Sequence, residues 1–160
     1  MNAPILPREA LAGRLAELRR GPRPPRLVLT NGGFDLLHVG HLRCLEAARA
    51  LGDLLVVALN DDAALRAAKG PGRPHQPLAE RMELVAALRC VDFVTWFAEA
   101  TLEVTLSALR PDVHAKGTDY DESSLPEAGL NRRLGIAMAF VGDPKTHHSR
   151  AFRRSGETPP

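Results

Sequence analysis

The chain has 160 residues, a length that suits one domain, since domains commonly run to roughly 100–150 residues. Hydrophobic residues make up 44% and charged residues 25%, which excludes a mainly disordered chain. Lys plus Arg number 21 against 19 for Asp plus Glu, and the resulting +2 comes with no long basic run, so no nucleic-acid partner is expected.

Met1–Arg8 carries no apolar stretch of the kind a signal peptide needs. Arg8 to Arg20 reads as an amphipathic helix, with Leu11, Leu15 and Leu18 on one face, and Gly21–Pro25 stops it. Arg26–Thr30 is a short apolar strand that runs into Asn31-Gly32-Gly33. A helix follows from His41 to Leu51, ended by Gly52-Asp53. Leu54–Leu59 has no alternation, which is how a strand buried on both faces reads. It is also the longest fully apolar run, far short of the roughly 20 residues of a membrane span. Asp61 or Asp62 caps a short helix to Ala68, and Lys69–Pro77 is a loop rich in Gly and Pro. The remaining elements are a helix at Ala79–Arg89, a strand at Val91–Phe97, a helix at Ala100–Arg110 and a strand at Asp112–Lys116. A loop and short helix over 121–135 then lead to a strand at Ile136–Val141.

Helices alternating with continuous apolar strands predict a single Rossmann-like α/β domain, a parallel five-stranded sheet with helices on both faces. The domain is expected over 1–154, with a leading helix at 8–20 and a frayed tail at 155–160. Cys44 and Cys90 have no C-x-x-C spacing; both read as small core residues in a reducing, cytoplasmic compartment.

The informative stretch is Thr30-Asn-Gly-Gly-Phe-Asp-Leu-Leu-His-Val-Gly-His41. It follows the first strand and opens a helix, where free N–H groups and a partial positive charge favour a phosphate. Gly32 and Gly33 allow a tight turn, and Gly40 removes a side chain between two histidines. His38 and His41 are three residues apart, so a helical turn brings their rings to one side. Two imidazoles beside a phosphate suit charge stabilisation at a phosphorus centre. The pair is also half of a zinc site, but no third or fourth ligand stands at a sensible spacing. His114, in the fourth strand, reads as a buried or lining histidine, and His75 as a solvated one.

Gly32-x-Phe34-Asp35-x-x-His38-x-Gly40-His41 resembles the signature of the cytidylyltransferase-like nucleotidyltransferases. Chance would produce these fixed positions on the order of once in 10⁸ starts. Within that superfamily the chain is similar, over roughly 8–145, to the heptose 1-phosphate adenylyltransferases, which also occur as the second domain of bifunctional heptose enzymes. The similarity extends through Leu51–Asn60, Lys69-Gly-x-x-Arg73-Pro74, Arg81-Met82, Val91-Asp92 and Pro111–Tyr120. The resemblance implies a transferase that joins ATP and D-glycero-D-manno-heptose 1-phosphate to give ADP-heptose and pyrophosphate. It implies Mg²⁺ held mainly by nucleotide phosphates, with no metal ligands from the protein. Carried over by position, His38 and His41 stabilise the transition state at the α-phosphorus. Asn31, Gly33 and Phe34 border the nucleotide phosphates and the sugar site. Lys69 reaches the phosphates from the loop after the second strand. Arg73 contacts the substrate phosphate from the same loop; Arg81 either does so too or pairs with a neighbour. Lys116, Gly117 and Asp119 lie where the ribose and base would sit. Asp35 is read as a cap holding its loop, and Asp92 as structural. Relatives of this kind often form homodimers, and the resemblance allows one here.

The sequence departs from the family at its end. The family usually has a turn of the form S-T-T or S-S-T that opens a final apolar helix and helps hold the triphosphate. Here the segment is Lys145-Thr-His-His-Ser-Arg-Ala-Phe-Arg-Arg154, in which Thr146 and Ser149 are the candidate hydroxyls for the nucleotide, with His147 or His148 as the alternative phosphate contact. Two other functions stay open. One is a cytidylyltransferase acting on glycerol 3-phosphate or a related polyol phosphate, and the other is a nucleotide- or sugar-phosphate-binding protein without catalysis.

Overall fold

A computed structural model describes residues 1–143 of the chain. Its strands are β1 (Leu27–Gly32), β2 (Leu54–Asn60), β3 (Phe93–Phe97), β4 (Val113–Gly117) and β5 (Ala137–Val141). All pair in parallel in one five-stranded sheet of order β3-β2-β1-β4-β5. The helices are α1 (Arg8–Arg19), α2 (Val39–Arg49), α3 (Asp62–Lys69), α4 (Leu78–Ala86), α5 (Glu103–Leu109) and α6 (Ala128–Leu134). This is the predicted fold class.

The apolar strands make two cores because successive side chains point to opposite faces. Leu27, Leu29, Val56 and Ala58 meet Leu11 and Leu15 of α1 and Leu106 and Leu109 of α5 on one face. Val28, Leu55, Val57 and Val94 meet Leu45 and Ala48 of α2 and Val85 and Ala86 of α4 on the other. Each fully buried Leu or Val contributes roughly 1.5–3 kcal/mol. The core is mostly leucine, valine and alanine, with Phe34, Phe93 and Phe97 among them.

The sheet order fixes the site. β1 is flanked by β2 on one side and β4 on the other, so the chain leaving β1 and the chain leaving β4 diverge. A crevice opens above the carboxyl ends of these two strands.

Several boundaries differ from expectation. β1 continues through Asn31 and Gly32, because both pair with β2 at Ala58 and Leu59. α2 begins at Val39, with His38 as its N-cap. α5 begins only at Glu103. The segment before α1, which carried no element signal, lies along the outer edge of β3. There Ile5 bridges Val94 in parallel, and the Leu6 N–H donates to the Val94 carbonyl at 2.9 Å. Pro4 and Pro7 limit it to a single bridge, yet it covers an edge that would otherwise be open. No described helix is long and apolar enough to cross a membrane. The tail expected at 155–160 lies outside the described residues.

Candidate active site

The turn after β1 is held in a costly conformation. Phe34 and Leu36 have φ of 48° and 57°, in the left-handed region that non-glycine residues avoid. Such backbone costs about 1–3 kcal/mol per residue and persists only where its surroundings determine it. Asp35, between them, supplies the determination. Its buried carboxylate accepts from Arg73 Nη1 at 2.7 Å, from the His75 N–H at 2.9 Å and from the Gln76 N–H at 3.2 Å. Burial alone would raise its pKa. The Arg73 guanidinium and the two N–H groups outweigh that and hold the carboxyl below its ordinary value. Asp35 is therefore the cap that the sequence suggested, and what it holds is the loop after α3. His75 itself is exposed, as expected.

His38 and His41 come together at the start of α2. Their rings stack with centroids 3.9 Å apart and planes at 25°, and Phe34 packs on His41 at 5.3 Å. The His38 N–H donates to His41 Nδ1 at 3.4 Å. A neutral His41 ring that accepts at Nδ1 carries its proton on Nε2, so Nε2 is its donor for a ligand. The α2 N-terminus adds its unpaired N–H groups and partial positive charge.

Asn31, at the end of β1, lies beside β4. Lys116 Nζ donates to Asn31 Oδ1 at 3.0 Å and also lies 4.6 Å from the centroid of the Tyr120 ring. His114 Nε2 lies 3.2 Å from the same Oδ1, and His114 Nδ1 lies 2.9 Å from Asn131 Nδ2 on α6. Burial, then the Lys116 charge, push His114 down to about 3, against a weaker upward pull from the Asn131 bond. It is neutral throughout the physiological range.

A cavity of about 970 Å³ opens at the carboxyl ends of the strands, with the buried His114 and Asn131 behind its wall. Asn31, Gly33, Phe34, His38, His41, Lys69, Arg73, Lys116, Gly117 and Asp119 all line it. A Cβ on Gly33 would stand 2.7 Å from Leu65 Cδ1, so glycine lets α3 approach the turn. Lys69 occupies the last position of α3 rather than the following loop, with its side chain at the rim. Arg73 reaches the cavity while paired to Asp35.

Arg81 corrects an expectation. It was a candidate for the substrate phosphate, yet it is 0% exposed and absent from the cavity wall. Its guanidinium donates to the Gly33 carbonyl at 2.6 Å, the Asn60 carbonyl at 3.0 Å, the Gln76 carbonyl at 3.0 Å and Asp62 Oδ1 at 2.7 Å. It pairs with a neighbour, the other alternative, and clamps the ends of β1 and β2 and the loop before α4. Cys44 is a second correction: it lines the cavity rather than the core, its Sγ 3.7 Å from the Val141 carbonyl. Gly142, with φ of 94°, brings its backbone against Cys44 there. Asp92 is structural, accepting from the Leu55 N–H at 2.8 Å and pairing with Arg49 at 2.9 Å.

Thr146, Ser149, His147 and His148 lie outside the described residues. Sequence reasoning missed Asn60, Ala100, Tyr120 and Glu127, which also line the cavity. Asn60 and Tyr120 had a signal, since they end the quoted Leu51–Asn60 and Pro111–Tyr120 runs. Glu127 is only 5% exposed, and its Oε1 accepts from the Leu102 N–H at 2.9 Å. Among the described residues no group of three or more His, Cys, Asp or Glu is placed to hold a metal ion.

Residues 29–145 match the family described as cytidylyltransferase-like. The bifunctional protein HldE of Streptomyces coelicolor is 54% identical over 109 residues, covering 68% of this chain and 24% of that protein. The bifunctional protein HldE of Syntrophotalea carbinolica is 50% identical over 134 residues, covering 84% of this chain and 27% of that protein. The chain spans about a quarter of the length of these curated relatives. The crystal structure of the lipopolysaccharide core biosynthesis protein from Thermoplasma volcanium GSS1 superposes with a TM-score of 0.64 at 28% identity, covering 75% of this chain and 99% of that one. On the sheet order, the paired histidines at the start of α2 and these matches, the chain belongs to the cytidylyltransferase-like family.

Proposed function

We propose that the chain is a nucleotidyltransferase that joins ATP to a sugar 1-phosphate, D-glycero-D-manno-heptose 1-phosphate, giving ADP-heptose and pyrophosphate. The observation that carries this reading is the stacked His38–His41 pair at the start of α2, opening on the same cavity as Lys69 and Asn31. Identity of 50–54% to bifunctional HldE proteins supports the heptose as acceptor.

The acceptor phosphate attacks the α-phosphorus in line, and pyrophosphate leaves. A phosphate is already an anion at neutral pH, so no general base is required. What the protein must supply is alignment and charge stabilisation. His41 Nε2–H and the His38 ring donate to the oxygens that gain charge. Removing one such preorganised donor costs about 3–4 kcal/mol of transition-state stabilisation. Lys69 and Arg73, on the α3 side, hold phosphate oxygens. Lys116, Gly117 and Asp119, at the end of β4, border the ribose and base. Mg²⁺, held by the nucleotide's phosphates rather than by protein side chains in this reading, would supply neutralisation of their charge. Thr146 and Ser149 complete the triphosphate contacts in this reading. The reaction is one of soluble substrates in the cytoplasm.

The test is pyrophosphate release with ATP or CTP, each against heptose 1-phosphate and glycerol 3-phosphate, in Mg²⁺. Release with ATP and the heptose alone supports the proposal. Release with CTP and the polyol phosphate replaces it with a cytidylyltransferase. Nucleotide binding without release from any pair replaces it with a binding protein.

A further inference from the structure

We propose that His114 is a positioning residue for this site: with Asn131 behind it, it turns the Asn31 side chain so that both amide N–H groups face a substrate phosphate. The inference rests on the nucleotidyl-transfer reading and adds to it a residue that touches no substrate.

The hydrogen-bond directions follow from one fact. An ammonium has donors and no acceptor. The Asn31 atom 3.0 Å from Lys116 Nζ is therefore the oxygen. That oxygen also lies 3.2 Å from His114 Nε2, so Nε2 must carry a proton. In a neutral ring Nδ1 is then a bare acceptor, and it takes the Asn131 amide at 2.9 Å. The chain of donors runs Asn131 to His114 to Asn31, and Asn31 Oδ1 is used twice. Asn31 Nδ2 has no acceptor among the described residues, and Asn31 lines the cavity. A rotated amide would set its N–H groups against two other donors, so Asn31 has one permitted orientation.

The arrangement is costly if its purpose is stability alone. His114 and Asn131 are both 0% exposed, on the face of the sheet whose core is otherwise leucine-rich. Asn131 Oδ1 is buried without a partner among the described residues. A buried unsatisfied oxygen is destabilising, and an apolar pair would avoid it. A fixed amide aimed at a phosphate is the return on that cost.

The experiment compares His114→Leu with His114→Gln in the full chain, with activity normalised to folded protein by thermal melting. Glutamine carries an amide nitrogen near the place of Nε2, whereas leucine fills the space without a donor. The expected result is a kcat about ten-fold lower in H114L with the ATP KM held within about two-fold, and recovery of most of that loss in H114Q. A separate readout needs no turnover: the Asn31 side-chain amide resonances, followed by NMR while inorganic pyrophosphate is added. They shift in the wild type and in H114Q, and not in H114L. Should the wild type release no pyrophosphate yet show this pattern, the relay stands and the transfer reading falls. Equal kcat in H114L and wild type, equal loss in both variants, or an Asn31 shift unaffected in H114L overturns the relay.

Discussion

The Asp35 carboxylate, with its side chain fully buried, takes the Arg73 guanidinium at 2.7 Å and thereby ties the turn after β1 to the loop after α3. Arg81, on the Gly33 and Gln76 carbonyls, ties the same two segments from the buried side. Asp35→Asn removes the charge that pairs with Arg73 but keeps an oxygen for the two N–H groups, and is expected to cost about 2 kcal/mol of stability. The folded carboxyl titrates below its ordinary value of 3.8, so its contribution is complete above that pH and is lost as pH falls through the folded pKa. Denaturant melts should therefore separate wild type and D35N at pH 7 and bring them together in strong acid. A gap that is constant down to pH 3 would refute the assignment.

The histidine pair does two jobs that a single variant can separate. His41 Nδ1 accepts from the His38 N–H and fixes the first turn of α2, while in the proposed mechanism Nε2 is the donor for substrate. In His41→Asn the side-chain oxygen still reaches the His38 N–H, but the distal donor is gone. The expected outcome is a melting temperature near that of the wild type and a turnover at least about 10²-fold lower. Unchanged turnover in this variant would remove His41 from the chemistry.

Arg81 and Lys69 should fail in opposite ways. Arg81 is buried with its guanidinium on three carbonyls and Asp62, so Arg81→Met leaves those acceptors unpaired and should cost about 3–5 kcal/mol. Lys69 is exposed at the end of α3, so Lys69→Ala should leave stability within about 0.5 kcal/mol. Its effect should be a rise in ATP KM of roughly ten-fold, weaker at high salt. A stable R81M with a raised KM for the phosphosugar would return Arg81 to the list of phosphate contacts.

These residues also mark what the sequence made legible. Leu54–Leu59 announces a central strand because a strand covered on both faces must be apolar throughout. The H-x-G-H spacing announces a candidate phosphate site because a helix start and two imidazoles are local features. Arg81 was undecidable because a guanidinium four residues into a helix looks the same whether it meets a ligand or three carbonyls. Its partners Gly33, Asn60 and Asp62 become neighbours only when β1 and β2 pair. His114 was unreadable for the same reason: its use depends on the register that sets it opposite Leu29, one residue short of Thr30 and two short of Asn31, and on an α6 side chain that packs over β4. Cys44 looked like core because its helix is apolar on that side; only the approach of Gly142 shows that a cavity wall passes there.

His114 gives a prediction about stability that is independent of activity. Unfolded, an imidazole takes up its proton near 6.5; in the fold, burial and the Lys116 charge delay this to about 3. Between those values the unfolded chain binds a proton that the folded chain refuses. Stability therefore falls as pH falls, by up to about 1.4 kcal/mol per pH unit for this one group. Glutamine does not titrate, so H114Q lacks the penalty while other groups contribute equally to both proteins. Between pH 8 and pH 5 the wild type should lose about 2 kcal/mol more than H114Q in urea melts. Parallel pH dependences would mean that His114 accepts its proton in the folded state, and with a charged ring the donor chain from Asn131 through His114 to Asn31 would no longer exist.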